Sequence, residues 1–80
     1  MEYKKSLKTC CQIIADKNCL TPDEVDEHAD LKEDLGLDSL ERVETIMAME
    51  KEFGQVIPSV DYEKVKTVRD LALWFAANAA

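Results

Sequence analysis

Glycine and proline are scarce in this chain, two of each among 80 residues. With 46% hydrophobic residues, that composition fits one compact helical domain over 1–80 rather than a disordered tail. Histidine occurs once. His28 lies between Glu27 and Ala29 in a polar stretch, so it is expected to be solvated, and a serine nucleophile has no other imidazole to serve as its base. A Gly-x-Ser-x-Gly turn is also missing. Cys10, Cys11 and Cys19 make an odd count with no Cys-x-x-Cys pair, which argues against zinc and against a disulfide framework and leaves packed, reduced thiols as the expectation. Ten cations face 17 acids, for a net charge of -7. A basic patch for nucleic acid is therefore absent, and Lys4, Lys5 and Lys8 read as one solvated helix face. The longest apolar run, over 71–77, is far too short to cross a membrane, and no signal-like segment opens the sequence, so a cytoplasmic location is expected. A chain of this length has little room for a typical enzyme pocket.

Helical periodicity is what the chain does have. Tyr3, Leu7, Cys10 or Cys11, and Ile14 recur at helical spacing with Ile13 beside them, predicting a helix over 2–17. Thr21 as cap, Pro22 at the first helical position and Glu24 at the third predict at most a short turn. A long loop follows, in which Val25, Leu31, Leu35 and Leu37 are the apolar anchors. A second helix is predicted over 39–53. At roughly 100° per residue, Val43, Ile46, Met49 and Phe53 form its expected core stripe, with Leu40, Glu44, Met47 and Lys51 on an adjoining strip and Glu41, Ala48 and Glu52 further round. That apolar arc is wider than a surface helix usually buries, so Leu40 and Met47 are expected to be partly exposed among acids. Gly54 ends the helix and Ile57-Pro58 restrains the turn after it. A short helix is predicted over 61–65. Thr67, with Asp70 three residues on, caps a last helix whose inward face is Val68, Leu71, Ala72 and Phe75, with Trp74 packing beside it. That helix should run to 77 and fray over 78–80. No strand pattern, repeat or linker is present. The expected architecture is all-α, a small four-helix bundle of three main helices and one short one.

The chain is organised around Asp34-Leu35-Gly36-Leu37-Asp38-Ser39-Leu40, a loop ending where the second helix begins. Gly36 allows a sharp turn, Asp38 or Ser39 is placed to cap, and Glu41 stands three residues after Asp38 as in a capping box. A hydroxyl there sits at a helix N-terminus, whose partial positive charge tolerates an attached phosphate. Residues 23–52 hold twelve acids against Lys32, Arg42 and Lys51, a local balance of -9 that leaves +2 elsewhere. A cationic partner is thus steered toward Ser39.

Asp38-Ser39-Leu40, preceded by Leu35-Gly36 and followed by Met47-Ala48-Met49-Glu50, Phe53 and Ile57-Pro58, resembles the acyl carrier protein family over about residues 31–68. The resemblance implies that Ser39, flanked by Asp38, carries 4'-phosphopantetheine through a phosphodiester, with acyl groups held as thioesters on the terminal thiol of that arm. It implies a monomeric, non-catalytic carrier without metal. Its partners would be a phosphopantetheinyl transferase and acyl-transferring or ketosynthase-type enzymes of fatty-acid or polyketide synthesis, whose basic patches meet Leu40, Glu41, Glu44 and Met47. Neither nucleic acid nor membrane insertion is implied. Arg42 and Lys51 depart from the uncharged or acidic residues usual in carriers of primary fatty-acid synthesis, and Val56 and Val60 replace typically polar positions, which points to a specialised pathway. Two alternatives keep the same fold, an aminoacyl or peptidyl carrier and an unmodified acidic adaptor. A calcium loop running from Asp30 through Asp34 and Asp38 to Glu41 fits poorly, because Lys32 occupies its third position and Gly36 its seventh instead of its sixth.

Overall fold

Three α-helices and two 3-10 turns make up the computed structural model, which describes residues 2–78. In chain order they are α1 (Tyr3–Lys17), a 3-10 turn at Pro22–Glu24, α2 (Ser39–Phe53), a second 3-10 turn at Ser59–Lys64, and α3 (Val68–Asn78). This is the small all-α bundle that the periodicity predicts. Among the described residues there is no strand, only an isolated antiparallel bridge between Asp30 and Thr67. No helix among them is long and apolar enough to cross a membrane. Asn78 still belongs to α3, and the rest of the predicted frayed end lies outside the described residues.

The core is built mainly between α1 and α3. Cys10, Ile14 and Ala15 of α1 are buried against Val68, Leu71, Ala72 and Phe75 of α3. Ser6, a buried polar residue that hydrophobic spacing does not reveal, donates its hydroxyl to the Ala72 carbonyl at 2.6 Å, so its burial leaves no unsatisfied oxygen. Thr67 and Asp70 cap α3 reciprocally. The Asp70 N–H donates to Thr67 Oγ1 at 3.0 Å, and the Thr67 N–H donates to Asp70 Oδ2 at 3.0 Å. Phe53 at the end of α2 stacks on Phe75 with centroids 4.4 Å apart, and Trp74 meets Phe75 edge-on at 5.1 Å. The Trp74 indole N–H reaches Asp61 Oδ2 at 3.2 Å, which ties the second 3-10 turn to α3. That turn was predicted as a short helix over 61–65. It starts earlier and winds more tightly because Pro58, at φ -60°, precedes it and its carbonyl accepts from the Asp61 N–H at 2.9 Å.

The long loop is held by the anchors that its apolar residues predict. Val25, Leu31 and Leu37 are buried and Leu35 is half-buried, with Ala29 as a further buried contact. Backbone bonds then fasten it to the start of α3, from the Leu31 N–H to the Lys66 carbonyl at 2.9 Å, the Val68 N–H to Ala29 at 3.1 Å and the Arg69 N–H to Glu27 at 2.7 Å. The Leu37 N–H closes back on Leu31 at 3.0 Å, which fixes where the chain emerges into α2.

One core assignment needs correction. Val43 was placed in the buried stripe of α2, yet it is 37% exposed, while Thr45 is buried beside Ile46 and Met49. The helix is rotated so that 45, 46 and 49 face inward and Val43 lies at the edge of the outer strip. Thr45 tolerates the interior because its hydroxyl donates to the Glu41 carbonyl at 2.8 Å and accepts from Asn18 Nδ2 at 3.3 Å.

Candidate attachment site and docking surface

The start of α2 is built by three consecutive devices. Gly36 takes φ +70°, a left-handed conformation open to glycine without strain, and turns the loop. Leu37 is buried and pins the next residue. Asp38 then caps the helix. Its Oδ1 accepts the Glu41 N–H at 2.7 Å, and Glu41 Oε1 accepts the Asp38 N–H at 3.0 Å. Of the two cap candidates, Asp38 is the one used, and Ser39 becomes the first helical residue, exposed. Its hydroxyl makes no hydrogen bond with any described residue, so no side chain stands ready to withdraw its proton. Because Asp38 takes the N–H groups of Glu41 and, through its carbonyl at 2.9 Å, of Arg42, the N–H groups of Ser39 and Leu40 are the donors left at the exposed helix end.

An open groove of about 370 Å³ borders Ser39, lined by Lys32, Leu37, Asp38, Ser39, Arg42 and Val43. A second groove adjoins it, sharing Lys32 and Arg42 and adding Asp30, Glu33 and Lys66. Asp30 is committed to the loop. Its Oδ1 accepts from the Glu33 N–H at 2.8 Å and the Lys32 N–H at 2.9 Å. The Glu33 N–H foremost, then that of Lys32 and the positive charges of Lys66 and Arg42, hold its carboxyl below the usual aspartate range. The cations around Ser39 are what the sequence reading missed in part. Arg42 is legible on its own helix, but Lys66 arrives from far along the chain, brought near by the bond from the Leu31 N–H to its carbonyl.

On the other side of Ser39 the outer strip of α2 is laid open. Leu40 is 66% and Met47 58% exposed, Val43 continues the strip, and Glu41 and Glu44 are exposed around it. Further along, Glu44, Met47, Ala48, Lys51 and Glu52 of α2 line a shallow depression with Lys17. The cysteines stand apart from this surface. Cys10 is buried, with burial pushing its thiol up to about 12, Cys11 is half-buried and also raised by burial, and Cys19 is exposed; all three are free. His28 is exposed beside Glu27, with Nε2 and Oε1 3.6 Å apart.

Ser39 is thus an exposed serine on the first residue of a helix capped by Asp38. Residues 9–75 match the family model described as "Phosphopantetheine attachment site", which makes this a phosphopantetheine-binding domain. The chain is 44% identical over 71 residues to the acyl carrier protein of Thermosynechococcus vestitus, covering 89% of this chain and 88% of that one. It is 50% identical over 60 residues to the acyl carrier protein of Bdellovibrio bacteriovorus, covering 75% and 77% of the two chains. With that of Wolinella succinogenes it shares 37% identity over 67 residues, 84% of this chain and 88% of the relative. The chain belongs to the acyl carrier protein family. Its function is that of an acyl carrier, and its cofactor is 4'-phosphopantetheine.

Proposed function

We propose that Ser39 receives the 4'-phosphopantetheine arm and that the outer strip of α2 is where partner enzymes dock. The observation that carries the reading is the unbonded, exposed hydroxyl of Ser39 on the first residue of a helix capped by Asp38. The surroundings fit a phosphodiester, because the free N–H groups of the helix end and the positive end of its dipole favour an anion there. When bound, the arm supplies a terminal thiol that holds acyl groups as thioesters. Asp38 fixes the direction in which the serine oxygen points, and its bond to the Glu41 N–H keeps the carboxylate from competing for a partner's cation. Leu40, Val43 and Met47 offer apolar contact within reach of Ser39, with Glu41 and Glu44 around them as charges for a basic patch.

The partners this surface suits are a phosphopantetheinyl transferase, for which the protein is a substrate, and acyl-transferring or ketosynthase-type enzymes of fatty-acid or polyketide synthesis. The protein acts as a monomer and performs no reaction alone; its arm raises the effective concentration of cargo at a docked enzyme. Arg42, Lys51 and the exposed Val56 and Val60 support a specialised pathway over a general one. Three free thiols fit a reducing compartment such as the cytoplasm. The test is to incubate the apo protein with coenzyme A and a phosphopantetheinyl transferase and weigh it. One arm's mass should be gained by the parent and by none of the Ser39→Ala variant, with helical content unchanged. A gain that survives Ser39→Ala would place the arm elsewhere.

A further inference from the structure

Lys32, Arg42 and Lys66 gather around the start of α2, from the loop, the helix and the segment before α3. Among the described residues the ion pairs are His28 with Glu27, Lys64 with Asp61 and Arg69 with Glu27, and none involves these three cations. A protein of net charge -7 has ample acids near them, and Lys66 and Arg42 do lower the Asp30 carboxyl, yet neither forms an ion pair with it. Asp38 is bound to the Glu41 N–H and Asp30 to the N–H groups of Lys32 and Glu33, while Glu33 is exposed. The groove beside Ser39 sets Lys32 and Arg42 against Asp38, and the adjoining groove adds Lys66 against Asp30 and Glu33.

We propose that Arg42 and Lys32 form a clamp for the phosphodiester that joins the arm to Ser39, holding the base of the arm over Leu37 and Val43. The inference rests on Ser39 being the attachment site. Given that, the phosphorus is bonded to Ser39 Oγ and brings one permanent negative charge into a groove that both Lys32 and Arg42 line. Arg42 is three residues after Ser39, so the two side chains are neighbours on one helix face. A guanidinium suits two phosphate oxygens at once. The apolar floor of Leu37 and Val43 then receives the methyl-bearing carbons that follow the phosphate. The cargo is not what these cations read, since it rides at the far end of a flexible chain while the phosphate is tied to Ser39 whatever is loaded. Lys66, in the adjoining groove and close enough to Asp30 to lower its pKa, adds to the field without reaching as far. The arm thereby leaves Ser39 toward the 30–38 loop, and the strip of Leu40 and Met47 stays free for docking.

The experiment uses the holo protein, made with coenzyme A and a transferase and verified by mass. The transverse relaxation of its 31P resonance reports how closely the phosphodiester follows the tumbling of the protein. It should be slower in Arg42→Gln and Lys32→Gln than in the parent, and unchanged in Lys8→Gln, which removes an exposed charge on α1. In the parent, salt at about 1 M, where the screening length is about 3 Å, should reproduce the effect of the variants. The chain has two arginines, which gives an internal control. The Arg42 Nε–H signal should move between apo and holo protein, whereas that of Arg69, which lies over the Tyr3 ring at 5.2 Å, should not. Amide spectra check that each variant is folded. An arm attached to Ser39 with 31P relaxation indifferent to Arg42, Lys32 and salt would overturn the clamp alone. No mass gain at Ser39 would overturn both the attachment and the clamp.

Discussion

α2 and α3 are both amphipathic, and they use that property differently. α3 buries Val68, Leu71, Ala72 and Phe75 completely, and it is tied to α1 by the Ser6 hydroxyl on the Ala72 carbonyl and to α2 by the stack of Phe53 on Phe75. α2 buries Ile46, Met49 and Thr45 but leaves Leu40, Val43 and Met47 in solvent, beside the serine that its first turn presents. The difference teaches that the arc of apolar residues on a helix wheel is not the same thing as the buried face. In α3 a single large aliphatic, Leu73 at 42%, falls outside the buried face. In α2 part of the arc is surface, with Leu40 and Met47 on the strip proposed for docking and Val43 at the edge of the groove beside Ser39.

The sharpest way to break this comparison is through stability. Phe75→Ala removes a ring stacked on Phe53 and met edge-on by Trp74, and should cost about 3–5 kcal/mol, readable by chemical denaturation. Such a loss is a large part of the stability of a small domain. Leu40→Ala, Val43→Ala and Met47→Ala should each cost less than the roughly 2–5 kcal/mol of a buried truncation, with Val43 the most costly because it is the least exposed of the three. A cost at Met47 as large as at Phe75 would show that the outer strip is core after all.

A subtler test concerns the loop that leads to Ser39. The carboxyl of Asp30 is held below its usual range chiefly by the N–H of Glu33, so the charged form is favoured in the folded state. Its contribution is therefore present above the unfolded value of about 3.9 and fades as the pH falls through the lower folded value. Amide exchange at Lys32 and Glu33 should accelerate over that window while α3 remains protected. Asp30→Asn should weaken the dependence of this loop on pH.

The smallest effect concerns the cations on α2 and is kinetic. Exposed charge pairs contribute only about 0–1 kcal/mol each, yet like charges on an approach path discriminate among partners. Glu41→Lys and Glu44→Lys should slow association with basic partners, and added salt should slow it for the parent. Lys51→Glu should broaden the set of carrier-dependent enzymes that accept the protein, with Arg42→Glu acting in the same direction more weakly. Comparing transfer rates with a general fatty-acid transferase at low salt measures this, and equal rates would show that these cations do not select partners.

Most of the scaffold was legible from local chemistry. Gly36, Asp38 and Glu41 predict a turn and a capped helix, Gly54 predicts its end, and Thr67 with Asp70 predicts the next cap, because each signal needs only residues within one turn of one another. Leu40 and Met47 were readable as partly exposed because the apolar arc was too wide to bury. Val43 was not, since the rotation of α2 depends on what α1 and α3 present to it. Ser6 and Thr45 escaped for the same reason, as a buried hydroxyl is paired by a carbonyl or amide that spacing does not reveal.

The sequence by itself determined the helical class, the capped start of α2 with Ser39 on it, and the acidic surroundings, since all three follow from periodicity, side-chain caps and charge count along a continuous stretch. The tertiary structure decided which edge of α2 faces water and brought Lys66 beside Lys32 and Arg42. The first depends on how α2 packs against α1 and α3, the second on the backbone bonds that fasten the loop to α3, from Leu31 to Lys66 and from Val68 to Ala29. Those bonds join residues far apart along the chain, and only the closure of the core around Leu31, Leu37 and Val68 fixes where they meet.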